Sequence, residues 1–252
     1  MTKTICLSTF LLIIALFSCK KQTEKQSECI IWFDKPAMEW TEAIPIGNGR
    51  LGAMVFGKTS IERIQVNEES LWGGNKISND NPEALAHLPE IRKLILKGDV
   101  PKAMELADKY ISGIPGKTRS YQTLGDIYIH FADTASPISN YRRDLDLETG
   151  IARVSYVKGD NQIQYEIFSS APDNVMIMKF NCDKPGGLDM SVNMTRVRDA
   201  SFNTNNNDLI MVGQVIDDTF PDLGPGGRDM KFYAKLHPVR FNGEMATTDT
   251  SL

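Results

Sequence analysis

Residues 44–74 read IPIGNGRLGAMVFGKTSIERIQVNEESLWGG, and this stretch decides the fold. The triplet Gly47-Asn48-Gly49 predicts a tight turn, because glycine adopts positive φ without a Cβ clash. An apolar run, Leu51 to Phe56, follows it. After a second turn, residues 61–66 carry spaced apolar side chains, and residues 67–74 form a polar tip with one tryptophan. The pattern predicts two strands joined by a short turn and ending in an acidic, Trp-bearing loop.

Strand-like runs continue to the end of the chain, separated by turns rich in Gly, Pro, Asn and Asp. We expect strands at 29–33, 124–131, 141–147, 151–157, 163–169, 175–181, 188–195, 209–215 and 230–238, and a short extended piece at 39–43. In residues 188–195 apolar and polar side chains alternate, which is typical of a strand with one buried face. This spacing predicts a mainly β fold, a large antiparallel β-sandwich. Residues 239–252 show no obvious last strand, so we expect an unpaired sheet edge there.

A helical segment interrupts the strands. Between residues 75 and 116 the apolar period changes from two to about 3.6, which predicts helices. Asn81-Pro82 marks a helix start, Gly98 its end, and Asp99 the N-cap of a second helix. Pro89 should kink or restart the first helix, because it lacks a backbone N–H. We expect an α-helical hairpin inserted into the sheet protein, with a packing role.

The composition is that of a globular protein, and the chain begins with an export signal. The 252 residues carry a net charge of −4 and no long basic run, which argues against a nucleic-acid partner. Lys3 and the apolar run Leu7 to Phe17 predict a lipoprotein signal peptide over residues 1–18. Cys19 is the expected lipidation site and residues 19–28 a polar tether, leaving 29–252 as the folded domain. We therefore expect an exported, membrane-anchored bacterial lipoprotein at the outer membrane or facing the periplasm. A plain secretory signal is the alternative.

Two further cysteines, Cys29 and Cys182, lie within the predicted domain. They are far apart in the sequence and have neither a CxxC nor a His-ligand pattern, so no metal site or cofactor is predicted. An exported compartment permits a disulfide between them, and two buried thiols remain the alternative.

Three motifs in the expected order resemble the amino-terminal domain of glycoside hydrolase family 95, the α-L-fucosidase type. They are WFDKPAMEWTEAIPIGNGRLGAMVFG at 32–57, IERIQVNEESLWGG at 61–74 and SYQTLGDIYIHF at 120–131. The resemblance runs from about Ile31 to the end of the chain. It implies a β-sandwich of the galactose-mutarotase-like kind, followed in the family by a linker and an (α/α)6 barrel that holds the active site.

The resemblance also implies how the chemistry is divided. Family members hydrolyse the glycosidic bond with inversion of the anomeric configuration, using an acid and a base in the barrel. Inversion needs two carboxyl groups roughly 6.5–9.5 Å apart. No barrel segment is recognisable in this sequence. We therefore expect a fragment without catalytic residues, inactive alone, whose partners are a helical-barrel catalytic domain and a fucosylated or related glycan.

Within the domain, Asn67, Glu68 and Trp72 are the candidate site residues. Trp72 could stack on a sugar ring with Asn67 and Glu68 as hydrogen-bond partners, or it could contact the barrel. The cluster Arg119, Tyr121 and Gln122 has the same two interpretations. Glu68 and Glu69 are adjacent, so in a strand they face opposite sides and make a poor acid/base pair. The alternative to a hydrolase domain is a stand-alone carbohydrate-binding lipoprotein.

Overall fold

A computed structural model describes residues 29–74, 76–217, 220, 223, 227–239 and 241–252. The predicted signal peptide, Cys19 and the tether lie outside these residues. The helices are α1 (Ala84–Leu96) and α2 (Val100–Tyr110). The strands are β1 (Ile30–Phe33), β2 (Ile44–Gly47), β3 (Leu51–Val55), β4 (Ile61–Glu68), β5 (Gly125–Phe131), β6 (Ile138–Asp146), β7 (Ile151–Lys158), β8 (Asn161–Ser170), β9 (Val175–Cys182), β10 (Met190–Thr195), β11 (Ala200–Asn205), β12 (Asp208–Asp217) and β13 (Gly227–Leu236).

The strands form three antiparallel sheets. Sheet A has the order β1-β6-β7-β8-β9, sheet B the order β10-β5-β4-β3-β2, and a smaller third sheet the order β11-β12-β13. The predicted hairpin at 51–68 lies in sheet B, where Val55 pairs with Ile64 and Leu51 with Glu68. The mainly β, antiparallel sandwich predicted from the sequence is confirmed.

Alternating apolar side chains build one core between the sheets. Val55 and Ile64 of sheet B, Tyr165 of sheet A and Met211 of the third sheet belong to the same buried cluster, each at most 1% exposed. Because side chains alternate along a strand, residues between these positions face outward. The outer face of sheet B therefore carries the odd-numbered residues of β4.

Three local features differ from the sequence-based expectation. The extended piece predicted at 39–43 is interrupted: Glu39 and Ala43 are extended, but Trp40–Glu42 between them form a single 3-10 turn. The Glu42 side chain closes this turn by accepting a hydrogen bond from the Met38 backbone N–H at 2.7 Å. Strands β2 and β11 were not predicted. The last residues do pair: the Leu252 N–H donates to the Val192 carbonyl at 3.0 Å, beside β10.

The predicted helical hairpin is present. Asp99 caps α2, its side chain accepting from the Lys102 N–H at 3.4 Å, and Gly98 (φ 82°) ends α1. Pro89 does not restart the helix, because α1 continues through it. Contacts with α2 hold α1 on both sides of the proline: Ile91 is buried, and His87 stacks on Tyr110 with ring centroids 3.6 Å apart. No helix among the described residues is long and apolar enough to cross a membrane.

The Cys29–Cys182 disulfide does not form, and both residues are thiols. The alternative of two buried thiols is also wrong in its burial, because Cys29 is exposed and Cys182 is partly exposed. Cys29 adjoins β1 and Cys182 ends β9, which are the two opposite edges of sheet A. With neighbouring strands about 4.8 Å apart, four strand spacings separate them by roughly 19 Å. A disulfide needs Cα atoms within about 7 Å, so the sheet order excludes it.

Candidate functional site

The Trp-bearing loop, residues 69–74, follows β4 and meets the turn between β2 and β3. The Asn48 side chain shapes that turn by accepting hydrogen bonds from the N–H groups of Arg50 and Leu51, at 3.0 and 2.7 Å. The Glu69 N–H then donates to the Arg50 carbonyl at 3.0 Å. The Gly-rich turn and the loop are therefore one joined structure at the end of sheet B.

The carboxylate of Glu68, the last residue of β4, accepts several hydrogen bonds at this joined turn and loop. Its carboxylate accepts from Arg50 Nε at 2.9 Å and from the Ser70 hydroxyl and N–H at 2.6 and 2.9 Å. Burial alone would raise the pKa of Glu68, but the hydrogen bonds from Ser70 and Arg50 outweigh it and place the pKa below its ordinary value. Glu68 is therefore a stable carboxylate, suited to holding Arg50 and unsuited to donating a proton.

Trp72 pairs with Tyr121 across an antiparallel β-bridge. Their ring centroids are 5.4 Å apart at an interplanar angle of 59°, and the side chains are 47% and 38% exposed. The Trp72 indole N–H donates to the Glu69 carbonyl, and the Tyr121 hydroxyl donates to the Glu68 carbonyl at 2.9 Å. Both polar ends thus donate to backbone carbonyls, which leaves the aromatic faces as the exposed surface.

A buried ion pair lies beneath the loop. Arg119 and Asp217 approach to 3.2 Å, with only 3% and 7% of their side chains exposed. A Cβ on Gly73 would lie 2.7 Å from an Asp217 carboxylate oxygen, and one on Gly74 would lie 2.7 Å from Arg119 Cδ. The two glycines let the backbone rest directly on the ion pair. Nearer the start of the loop, the Leu71 side chain is 2% exposed and packs in the core. The loop is anchored at both ends.

The structure brings together Glu68 and Trp72 through Tyr121, but it separates Asn67 from them. Alternation along β4 directs Asn67 to the outer face of sheet B, opposite Gly52, whereas Glu68 continues the inward-facing row. Asn67 Oδ1 is buried and has no hydrogen-bond partner among the described residues. In the second predicted cluster, the Gln122 side chain accepts from Arg196 at 2.7 Å.

Sequence reasoning missed two members of this arrangement. Arg50 directly follows the predicted turn Gly47-Asn48-Gly49. A basic residue at the start of one strand of the hairpin and the acidic Glu68 at the end of the other could have indicated their ion pair. Asp217 had no such signal, because it ends β12, which is far from Arg119 in the chain. Only the arrangement of the third sheet against sheet B brings them together.

A second set of polar side chains is sealed inside the sandwich. Glu62 is 0% exposed, and its carboxyl accepts from the Tyr165 hydroxyl at 2.6 Å and from the N–H groups of Phe56 and Gly57 at 3.1 and 2.9 Å. Burial raises the pKa of Glu62 to about 7. No ligand reaches this carboxyl, so its role is to hold the β3–β4 turn against sheet A. Within the described part of the chain, no group of three or more His, Cys, Asp or Glu side chains is arranged to hold a metal ion.

Comparison with known proteins identifies the domain. Residues 31–252 match the family model described as glycosyl hydrolase family 65, N-terminal domain. The chain belongs to this family. It is also 40% identical over 162 residues to alpha-L-fucosidase 2 of Arabidopsis thaliana, and 32% identical over 161 residues to probable alpha-fucosidase A of Aspergillus niger. The alignments cover 64% and 60% of this chain but 19% and 20% of the two relatives.

These relatives confirm the resemblance to the amino-terminal domain of α-L-fucosidase-like glycoside hydrolases. Probable alpha-fucosidase A of Aspergillus oryzae, 30% identical over 161 residues, gives the same relation. The chain spans about a fifth of the length of these relatives. The family match begins within β1 and takes in β2 to β13, so the glycosyl hydrolase N-terminal domain includes the Trp-bearing loop and its buried ion pair.

Proposed function

We propose that residues 29–252 border the glycan site of an α-L-fucosidase-like hydrolase, and that the Trp72–Tyr121 pair is the bordering surface. The observation that carries this proposal is a pair of half-exposed aromatic rings on a loop held from below by the Arg119–Asp217 ion pair. Aromatic faces of this kind suit the apolar face of a sugar ring or a neighbouring domain. The substrate class, a fucosylated or related glycan, follows from what the three relatives are named for.

In this proposal hydrolysis belongs to a catalytic region outside these residues, the helical barrel that the family 95 resemblance implies. Two features of the domain support the division. Glu68 has a lowered pKa and a fixed Arg50 partner, so it is a poor general acid. Glu62 has a raised pKa but is sealed in the core, out of reach of a substrate. Neither carboxyl combines access with a proton to donate.

An activity assay tests this division directly. The chain alone should release no aryl leaving group from an aryl α-fucoside above the rate of the protein-free buffer. Turnover that is lost in Glu68→Gln and kept in the control Glu90→Gln, an exposed residue of α1, would place the chemistry in this domain and overturn the proposal.

A stand-alone glycan-binding role is the second candidate, favoured by the 47% exposure of Trp72. Under this alternative the isolated chain binds 2′-fucosyllactose in calorimetry, and Trp72→Ala removes the binding. The matched control is Trp32→Ala, which truncates a tryptophan on sheet A that is 57% exposed. An absence of heat with the unmodified chain would count against this alternative and leave the bordering role.

We further propose that the chain is exported and anchored to a membrane through lipid on Cys19, after removal of residues 1–18. The supporting feature is the apolar run that ends at Ser18-Cys19 and is followed by Lys20-Lys21. Metabolic labelling with an alkynyl fatty acid in a bacterial host should mark the chain. Cys19→Ser should remove the label while Cys29→Ser keeps it. Labelling that persists in Cys19→Ser would contradict the anchor.

A further inference from the structure

The outer face of sheet B carries a second aromatic and polar surface, separate from the Trp72 loop. Its wall is Trp40, which is 52% exposed and lies in the 3-10 turn Trp40–Glu42. The Trp40 indole N–H donates to Gln65 Oε1 at 2.7 Å. This bond fixes the ring over β4 and satisfies its polar end, so the exposed part of the side chain is the apolar ring.

The floor of this surface consists of paired polar groups on β4 and β5. Gln65 lies opposite Asp126, and Arg63 lies opposite Tyr128. Arg63 Nε donates to Asp126 Oδ1 at 2.8 Å, and the two side chains are 30% and 16% exposed. One pair of residues further along, His130 Nε2 lies 2.9 Å from Asn193 Oδ1. Successive pairs on one face are about 7 Å apart, so the row from Gln65 to His130 extends roughly 14 Å.

The turn that presents Trp40 is held by a buried charge rather than left as a loose loop. Arg143 of β6, 2% exposed, reaches from sheet A to donate to the Glu42 carbonyl at 2.7 Å and to the Lys35 carbonyl at 2.8 Å. Ala37 and Ala43, 0% and 6% exposed, pack against Phe56 on either side of the turn. The tryptophan is therefore exposed and positioned at the same time, which is the arrangement that lowers the entropic cost of binding.

The chemistry of the surface selects a ligand class. Arg63 and Asp126 neutralise each other, so the surface has no excess charge for an anion or a cation. Its polar side chains include hydrogen-bond donors and acceptors, and they lie next to one apolar ring. A sugar ring has hydroxyl groups at its edge and an apolar face, so it can contact both the polar side chains and the tryptophan ring. We infer that the outer face of sheet B, with Trp40 as its wall, binds two or three sugar units of a neutral oligosaccharide. This site does not depend on the role proposed for Trp72.

The three tryptophans of the chain allow a direct test, because each lies on a different surface. In a 15N–1H spectrum of the whole chain, the indole N–H signals of Trp32, Trp40 and Trp72 are assigned by single Trp→Phe variants. 2′-Fucosyllactose is the probe, and lactose the matched glycan without fucose. The Trp40 signal should shift saturably with the oligosaccharide while the Trp32 signal stays in place.

Two variants sharpen the result. Trp40→Ala should weaken binding at this surface by about tenfold or more, the loss expected for one aromatic contact. Gln65→Ala should weaken it less, because the ring remains but is no longer held in place. A Trp40 signal unmoved by saturating glycan overturns the inference. So does a Trp40 signal that moves only with protein concentration, since the face would then be covered by a second copy.

The same spectrum separates this inference from the proposed function. A shift confined to Trp72 supports the bordering loop and overturns the sheet B site. A shift confined to Trp40 supports the sheet B site alone. Different responses of the Trp40 signal to lactose and 2′-fucosyllactose would show that the surface distinguishes the fucosyl unit.

Discussion

Replacing the buried Glu62 with glutamine should change how the stability of the domain depends on pH. The folded state holds the Glu62 proton more tightly than the unfolded chain, because burial raises the pKa from 4.5 to about 7. Stability from this proton is therefore fully present below pH 4.5 and is lost as the pH rises through 7. Since one pKa unit corresponds to about 1.4 kcal/mol, the full loss is roughly 3 kcal/mol.

The glutamine variant keeps the contacts while removing the titration. Its amide oxygen can accept from the N–H groups of Phe56 and Gly57, and its amide nitrogen can donate to the Tyr165 oxygen. At pH 5 the variant should lie within about 1 kcal/mol of the unmodified chain. Between pH 5 and pH 8 the free energy of unfolding of the unmodified chain should fall by about 2–3 kcal/mol relative to that of the variant, because only the unmodified chain acquires a buried charge.

Urea unfolding followed by tryptophan fluorescence at pH 5, 6, 7 and 8 measures this difference. Glu90→Gln, on the exposed surface of α1, is the matched control and should follow the unmodified chain. The carboxyls of Asp133, Asp146 and Asp208 do not interfere. Their pKa values are lowered, so their contribution is lost only as the pH falls below about 4. Parallel stability curves for Glu62→Gln and the unmodified chain would refute the reasoning.

Two further predictions concern the framework. Gly213→Ala should cost about 1–3 kcal/mol in thermal unfolding, because its new methyl group would collide with the Phe232 ring and the Asp199 carbonyl, whereas Gly52→Ala, with its nearest atom at 3.6 Å, should be close to neutral. Equal effects would contradict the packing described for the third sheet. Asp99→Ala should lower protection of the α2 amides in hydrogen exchange by about 1 kcal/mol and leave β4 unchanged. Unchanged α2 amides would show that the cap contributes nothing.

The sheets could be predicted because their signal is local. Residues 188–195 alternate cleanly, and their strand was found to within two residues as β10. Strand β11 was missed because its sequence, ASFNTN, has one large apolar residue and is half-exposed on alternate positions. The Trp40–Glu42 turn was missed because a side chain, Glu42, closes it by bonding the backbone N–H of Met38. Such a bond leaves no periodicity in the sequence.

The candidate site was predictable only where its residues are neighbours in the chain. Glu68 and Trp72 share one loop, and the sequence placed both in it. The groups that fix the loop come from elsewhere: Tyr121 from the segment before β5, and Asp217 from the end of β12. Their partnership depends on sheet order, which the sequence pattern does not determine. Asn67 is a different case, because its separation from Glu68 follows from the alternation of side chains along β4, the rule that also separates Glu68 from Glu69.

The buried charges explain why two tryptophans are both exposed and fixed. Arg143 lies beneath the turn that carries Trp40, and the Arg119–Asp217 pair lies beneath the loop that carries Trp72. A buried ion pair contributes little net stability compared with apolar residues of the same volume, since desolvation offsets the attraction. A guanidinium instead fixes the positions of the groups that it bonds, because its planar donors reach carbonyl and carboxylate oxygens only in set geometries. The buried arginines therefore determine where the two aromatic surfaces lie, and an apolar core of equal stability would not.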